Sequence, residues 1–209
     1  FGNSGQVTYS PAGKNYLSVK GLAVLPDGKM LLAGDYSYLL DNTDFMLLRF
    51  KDDGSIDHSF GQNGIVRTQV EGDFNFVGSM LVQPDGKIIL AGTTQYKCWC
   101  PVGGVARYEA DGLLDMTFGN GGKMILDFGA YGDFEDIVLQ DDGKILLTGS
   151  IYSYPPGASS LRYTAITCRL NNLVVSTNNR PAHPSIAKIQ PNPVRQGLTN
   201  CHLTLNEPA

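Results

Sequence analysis

The sequence predicts an all-β chain assembled from repeats, because three short markers recur in the same order and at one spacing. The first marker is a turn between apolar runs. It reads Leu25-Pro26-Asp27-Gly28-Lys29-Met30-Leu31-Leu32-Ala33-Gly34, returns from Gln83 to Gly92, and returns again from Asp141 to Gly149. The second is Phe1-Gly2-Asn3-Ser4-Gly5, repeated as Phe60-Gly61-Gln62-Asn63-Gly64 and Phe118-Gly119-Asn120-Gly121-Gly122. The third is a strand end: Leu48-Arg49-Phe50, Ala106-Arg107-Tyr108 and Cys168-Arg169-Leu170. Asp27 to Asp85 is a step of 58 residues, as is Phe60 to Phe118, and Asp85 to Asp142 is 57. One period kept by independent markers is the signature of a repeat architecture.

Each element has a local reason. Pro26 and Pro84 preset φ for the first turn position, Asp closes the turn with its side chain, and Gly accepts positive φ. The turn therefore joins two strands of a hairpin. In the third copy Asp141 replaces the proline, which a type I turn tolerates. The outgoing strands (Met30 to Ala33, Ile88 to Ala91, Ile145 to Thr148) are apolar at successive positions, so they are expected to be buried on both faces between stacked sheets. A variable connection follows, Asp35 to Thr43 or Thr93 to Pro101, and then a strand, Asp44 to Phe50 or Gly103 to Tyr108. The segments Asp53-Gly54…Asp57…Phe60-Gly61 and Asp111-Gly112…Asp115…Phe118-Gly119 turn the chain again, and the second Asp caps a short turn. Ile65 to Thr68 and Lys123 to Leu126 complete about four strands per unit, close to one propeller blade. Val7 and Tyr9 are expected as a further short strand.

Composition narrows the function classes. The chain has 209 residues, 42% of them hydrophobic, which is enough for a proper core. A net charge of -4 argues against nucleic acid, which is bound through Lys and Arg. No apolar run approaches the roughly 18 residues of a membrane helix. The chain opens inside the second marker, as a piece of a longer protein would. Cys98, Cys100, Cys168 and Cys201 allow three complete pairings and are read either as structural disulfides or as buried thiols. Their spacing, with three scattered histidines, does not suggest a metal site, and no cofactor is expected.

Several residues invite a chemical reading. Asp27, Asp85 and Asp142, and the pairs Asp53/Asp57 and Asp111/Asp115, have the oxygen ligands that suit Ca²⁺, but turn chemistry accounts for them more simply. Arg49, Arg107 and Arg169 form a ring of equivalent cations suited to an anion. Pairing with an acid of the same or the next blade is the favoured reading, since an active site is made once and not in every repeat. No nucleophile motif, phosphate loop or His-acid cluster appears, so no catalytic residue is assigned. The segments that break the repeat are the better candidates: Tyr36 to Asn42, Tyr96 to Cys100, and Tyr152 to Tyr163. They are read as connecting loops with exposed aromatics, where binding usually lives. Tyr96, Trp99, Tyr152 and Tyr154 are the candidate binding residues for a glycan or protein ligand.

The markers of residues 1–170 resemble the delta-60 repeat family: the Asp-Gly-Lys turns, the following Ala-Gly or Thr-Gly, the Arg-Phe or Arg-Tyr strand ends, and the Phe-Gly segments. The resemblance implies β-propellers in large secreted bacterial proteins, and no defined chemistry. After the polar stretch 176–184, Ile189-Gln190-Pro191-Asn192-Pro193-Val194 and the alternating Cys201 to Leu205 resemble the opening of the C-terminal sorting domain of the type IX secretion system of Bacteroidota. That resemblance implies an immunoglobulin-like β-sandwich that directs export, with Pro191, Asn192 and Pro193 as its signal and the translocon or its shuttle components as partner.

The expected organisation is therefore an all-β, β-propeller-like array of about three four-stranded blades over residues 1–175, part of a longer propeller. A linker covers 176–184, and the first strand or strands of a C-terminal β-sandwich sorting domain cover 185–209. The expected function is that of a non-catalytic, secreted or cell-surface binding and scaffold module, with adhesion as one use. The alternative is an accessory propeller of a secreted hydrolase or lyase whose catalytic domain lies upstream.

Overall fold

A computed structural model of the protein describes residues 1–11, 15–38, 42–96, 100–154, 160–170, 186–191 and 200–203. The described residues are all-β. The first blade is an antiparallel sheet of β1 (Asn15–Val24), β2 (Met30–Tyr38), β3 (Asn42–Phe50) and β4 (Ile65–Thr68), hydrogen-bonded in sequence order. The second repeats it with β5 (Asn75–Val82), β6 (Ile88–Tyr96), β7 (Cys100–Tyr108) and β8 (Lys123–Asp127). The third comprises β9 (Tyr131–Leu139), β10 (Ile145–Ser153) and β11 (Arg162–Leu170).

The turn marker does what its residues dictate. Gly28, Gly86 and Gly143 have φ of 82°, 86° and 77°. In each turn the acid of the Asp-Gly pair (Asp27, Asp85, Asp142) accepts a hydrogen bond from the amide of the following lysine, Lys29, Lys87 or Lys144. The glycine that ends each marker has a different task. It lies against an irregularity in the preceding strand, where the register slips between Val19 and Gly21, between Val77 and Ser79, and opposite Thr148 and Gly149. A Cβ on Gly34, Gly92 or Gly149 would run into the carbonyl oxygen of Ser18, Phe76 or Asp133. The bulge and the bare backbone opposite it are one feature, present in every blade.

The strands leaving the turns are buried from both sides. Ile88 and Leu90 belong to a core shared with Leu31, Ala33, Phe45 and Leu47 of the first blade. Ile89 and Ala91 belong to a second core, with Phe134, Ile137, Leu147 and Cys168 of the third. The central blade is thus packed between two sheets. The passage from β4 to β5 is held by Asn75, which is fully buried. Its Nδ2 donates to the Thr43 carbonyl at 3.0 Å, and its Oδ1 accepts from the Val70 amide and the Thr94 hydroxyl. A buried amide satisfied on both ends fixes the angle between blades.

Three expectations change. The connections Asp35 to Thr43, Thr93 to Pro101 and Ser150 to Arg162 begin and end in strand, because each hairpin continues to zip beyond the repeat core, as far as Tyr38↔Asn42, Tyr96↔Cys100 and Ser153↔Arg162. Among the described residues the third blade has three antiparallel strands in place of four. Its repeat stops before the Phe-Gly segment, and the place beside β11 is taken by β13 (Asn200–Leu203), running parallel. β12 (Ile186–Pro191) pairs with β13 and, in parallel, with β8. Residues 7–10 form no strand, and the Val7 side chain lies beside Gly2 and Gly54. The expected linker 176–184 lies outside the described residues.

Replacing Gly92 by Ala is expected to destabilise the fold by about 3 kcal/mol, the upper range for forcing an atom into packed space. Urea unfolding followed by circular dichroism reads this directly, and an unchanged midpoint would remove the role assigned to the glycine.

Candidate functional site

In the first two units the repeated charges are absorbed by the fold, whereas Arg169 of the third has no acid within ion-pair distance among the described residues. Arg49 Nε donates to Asp57 Oδ2 at 2.9 Å, and its guanidinium lies 4.4 Å over the Phe60 ring. In the second unit Arg107 Nε donates to Asp115 Oδ2 at 2.7 Å and lies 4.6 Å over Phe118. The turn lysine joins each pair, Lys29 at 3.7 Å from Asp57 and Lys87 at 3.1 Å from Asp115. The other carboxylate oxygen accepts from Ser59 or Thr117, through both amide and hydroxyl. All three sequence markers therefore meet at one cluster in each complete unit. The next unit is latched to it: Arg49 also donates to the Ala110 carbonyl at 2.7 Å, and the Gly61 amide donates to the Asp111 carbonyl at 2.8 Å. The Phe1–Gly5 copy docks in the same manner, its Gly2 amide donating to the Asp53 carbonyl at 2.8 Å.

These contacts set the protonation of the acids. The Ser59 hydroxyl and amide, with Arg49 and Lys29, hold the Asp57 carboxyl down at about 2 against burial that would raise it. At Asp115 burial pushes upward, but Thr117, Lys87 and Arg107 together hold it well below the usual carboxylate range. Among the described residues no group of three or more His, Cys, Asp or Glu side chains converges as metal ligands do.

The aromatic candidates divide. Trp99 lies outside the described residues, and Tyr96 is placed only as the last residue of β6. Cys100 beside them is disulfide-bonded. Tyr152 is in a strand and not in a loop, and it stands directly between Tyr131 and Tyr163 in register. The three rings form a row across the sheet, with centroids 5.5 and 5.4 Å apart. Ile145, Leu147, Cys168 and Leu170 face the second core, so the alternation of strand side chains puts the row on the opposite face of the third blade. Tyr163 is 67% exposed, and Tyr154, just past the end of β10, is 60% exposed. Burial, Asp133 and the two neighbouring phenols raise the Tyr152 hydroxyl, which keeps it a hydrogen-bond donor. Around the row stand Asp133, Ser150 and Ala165 in place of an apolar field. Tyr131 was not legible as a partner, because cross-strand register is invisible in one strand alone. The pairing of Tyr152 with Tyr163 did leave a trace, since the two stand symmetrically about Gly157-Ala158.

Pro191 ends β12, while Asn192 and Pro193 lie outside the described residues.

An Asp57→Asn substitution is expected to cost about 3 kcal/mol, because it leaves Arg49 buried without its acid. In the unsubstituted protein, the stability due to Asp57 is complete above its ordinary pKa of 3.8 and is lost as pH falls through the native value of about 2. Urea titrations between pH 5 and about pH 2 are expected to show a steep acid loss that the variant lacks.

Comparison with known proteins agrees with the geometry. Residues 25–60 and 83–118 each match the family model described as "Domain of unknown function (DUF5122) beta-propeller". The two spans occupy corresponding parts of consecutive units, from the Asp-Gly-Lys turn to the Phe-Gly segment. No curated protein matches the chain. With an all-β architecture of sheets stacked face to face, the matches support a propeller repeat protein.

Proposed function

We propose that the chain is a non-catalytic β-propeller binding module, displayed or released outside the cell, that holds a glycan or protein ligand on the tyrosine row of its third blade. The observation that carries this reading is the row itself. Tyr131, Tyr152 and Tyr163 present ring surface and hydroxyls together on the outward face of the blade, beside Asp133, Ser150 and Ala165. Tyrosine supplies large contact area with a polar tip, which suits a ligand with both apolar and hydroxyl-bearing surface. The repeated acids support a non-catalytic role, because their carboxylates are engaged in turns and ion pairs. Export is assigned to residues 185–209, on the Pro191-Asn192-Pro193 resemblance, with the type IX translocon or its shuttle components as partner.

Two experiments test the reading. Depletion from solution by insoluble cellulose, chitin and xylan, together with pull-down from envelope extracts, is expected to find a ligand. Its binding should weaken about tenfold or more in a Tyr152→Ala/Tyr163→Ala variant, as for a central aromatic anchor. Equal binding by the variant would move the site elsewhere. Deletion of residues 185–209 in the native host is expected to leave the protein inside the cell envelope, and continued export would end the sorting assignment.

A further inference from the structure

The first blade carries a set of polar residues that the second lacks. A cleft of about 680 Å³ runs beside β4, lined among others by Tyr36, Tyr38, Asn42, Asp44, Arg67 and Gln69. That volume suits a small organic ligand. Tyr36 pairs with Asp44 across β2 and β3, Tyr38 pairs with Asn42, and Arg67 pairs with Met46, so alternation places these side chains on one face of the blade. The Arg67 guanidinium lies 4.7 Å over the ring of Tyr36, which is itself buried. The contact holds the guanidinium against the ring. Unlike Arg49 and Arg107, Arg67 has no acid within ion-pair distance among the described residues. Asp44 is near enough for the Arg67 charge to offset part of the upward push of burial on its carboxyl. Tyr38 is 54% exposed.

The chain supplies its own comparison. By the same register, the second unit has Thr94, Val102 and Ile125 where the first has Tyr36, Asp44 and Arg67. Val102 and Ile125 are buried apolar residues. What the fold requires is repeated, as the Arg49 and Arg107 clusters are. Tyr38 has a counterpart in Tyr96, but Tyr36, Asp44 and Arg67 are combined once, so the fold does not account for them.

We propose that this cleft is a binding site for a neutral saccharide, with Arg67 and Asp44 bridging vicinal hydroxyls and Tyr38 stacking on the sugar ring. Arg67 only donates, the Asp44 carboxyl accepts, and Asn42 and Gln69 do both, which matches a ligand whose hydroxyls need donors and acceptors side by side. Charges of both signs in one cleft disfavour a strongly ionic ligand. The site uses other residues on another blade than the tyrosine row, and stands or falls independently of it.

The test is calorimetric titration of the full chain with neutral 1,4-linked tetrasaccharides of glucose, mannose and xylose, and with a tetragalacturonate. At least one neutral tetrasaccharide is expected to bind. Arg67→Gln, Asp44→Asn and Tyr38→Ala should each weaken it about tenfold or more, the scale of one charged hydrogen bond, with unfolding midpoints unchanged. Tyr163→Ala should leave it unaltered. The proposal is overturned if no neutral tetrasaccharide binds at millimolar concentration, if tetragalacturonate is preferred, or if binding survives Arg67→Gln. Loss in Tyr163→Ala alone would also overturn it, while supporting the tyrosine row.

Discussion

The structure depends on burying one strand from both sides. Ile88, Ile89, Leu90 and Ala91 are successive residues, and each is almost or wholly excluded from solvent. Strand side chains alternate, so the even pair serves the core with the first blade and the odd pair the core with the third. No sheet of this kind can be stable alone, because half of its apolar surface would be left in water. Stability is therefore a matter of neighbours, as in other repeat architectures. The terminal faces differ accordingly. Leu22 and Val24 of the first blade are 66% and 70% exposed, whereas the outward face of the third carries Thr148, Ser150 and tyrosines beside Leu146 and the half-exposed Val138.

Stacking by apolar contact alone is permissive about registration, and the ionic cluster supplies the missing precision. Asp57 receives Arg49 and Lys29 on one side and Ser59 on the other, and Phe60 covers the guanidinium. Removing these charges from water is costly, and a buried pair is tolerated only when its remaining hydrogen-bonding capacity is met. Here it is met by residues drawn from all three markers. That requirement explains why turn, strand end and Phe-Gly segment keep a common period: a slip in any of them would strand a charge. The same cluster passes the registration on, through Arg49 to the Ala110 carbonyl and Gly61 to the Asp111 carbonyl.

Both surfaces proposed for binding lie in what is not repeated. The tyrosine row exists because the third hairpin zips further than its repeat core, bringing Tyr152 and Tyr163 opposite each other and Tyr131 alongside. The cleft beside β4 is polar because the first blade has Asp44 and Arg67 where the second has the apolar Val102 and Ile125, and Tyr36 where the second has Thr94. In both cases the scaffold is rigid and shared, and the chemistry is local and single.

The sequence by itself determined the period, the turn chemistry and the double burial of the central strands, because proline, glycine and apolar runs act through local backbone and solvent forces. The pairing of Arg49 and Arg107 with acids was equally legible, since repetition pointed to structure. Only the tertiary structure decided that Asp57 and Asp115 are the partners, that Gly34, Gly92 and Gly149 face backbone bulges, and that Tyr36, Tyr152 and Tyr163 stand in strands. It alone brought Tyr131 beside Tyr152, and Arg67 over Tyr36. These are facts of register and of contact between sheets, set by residues far apart in the chain, and no single strand carries them.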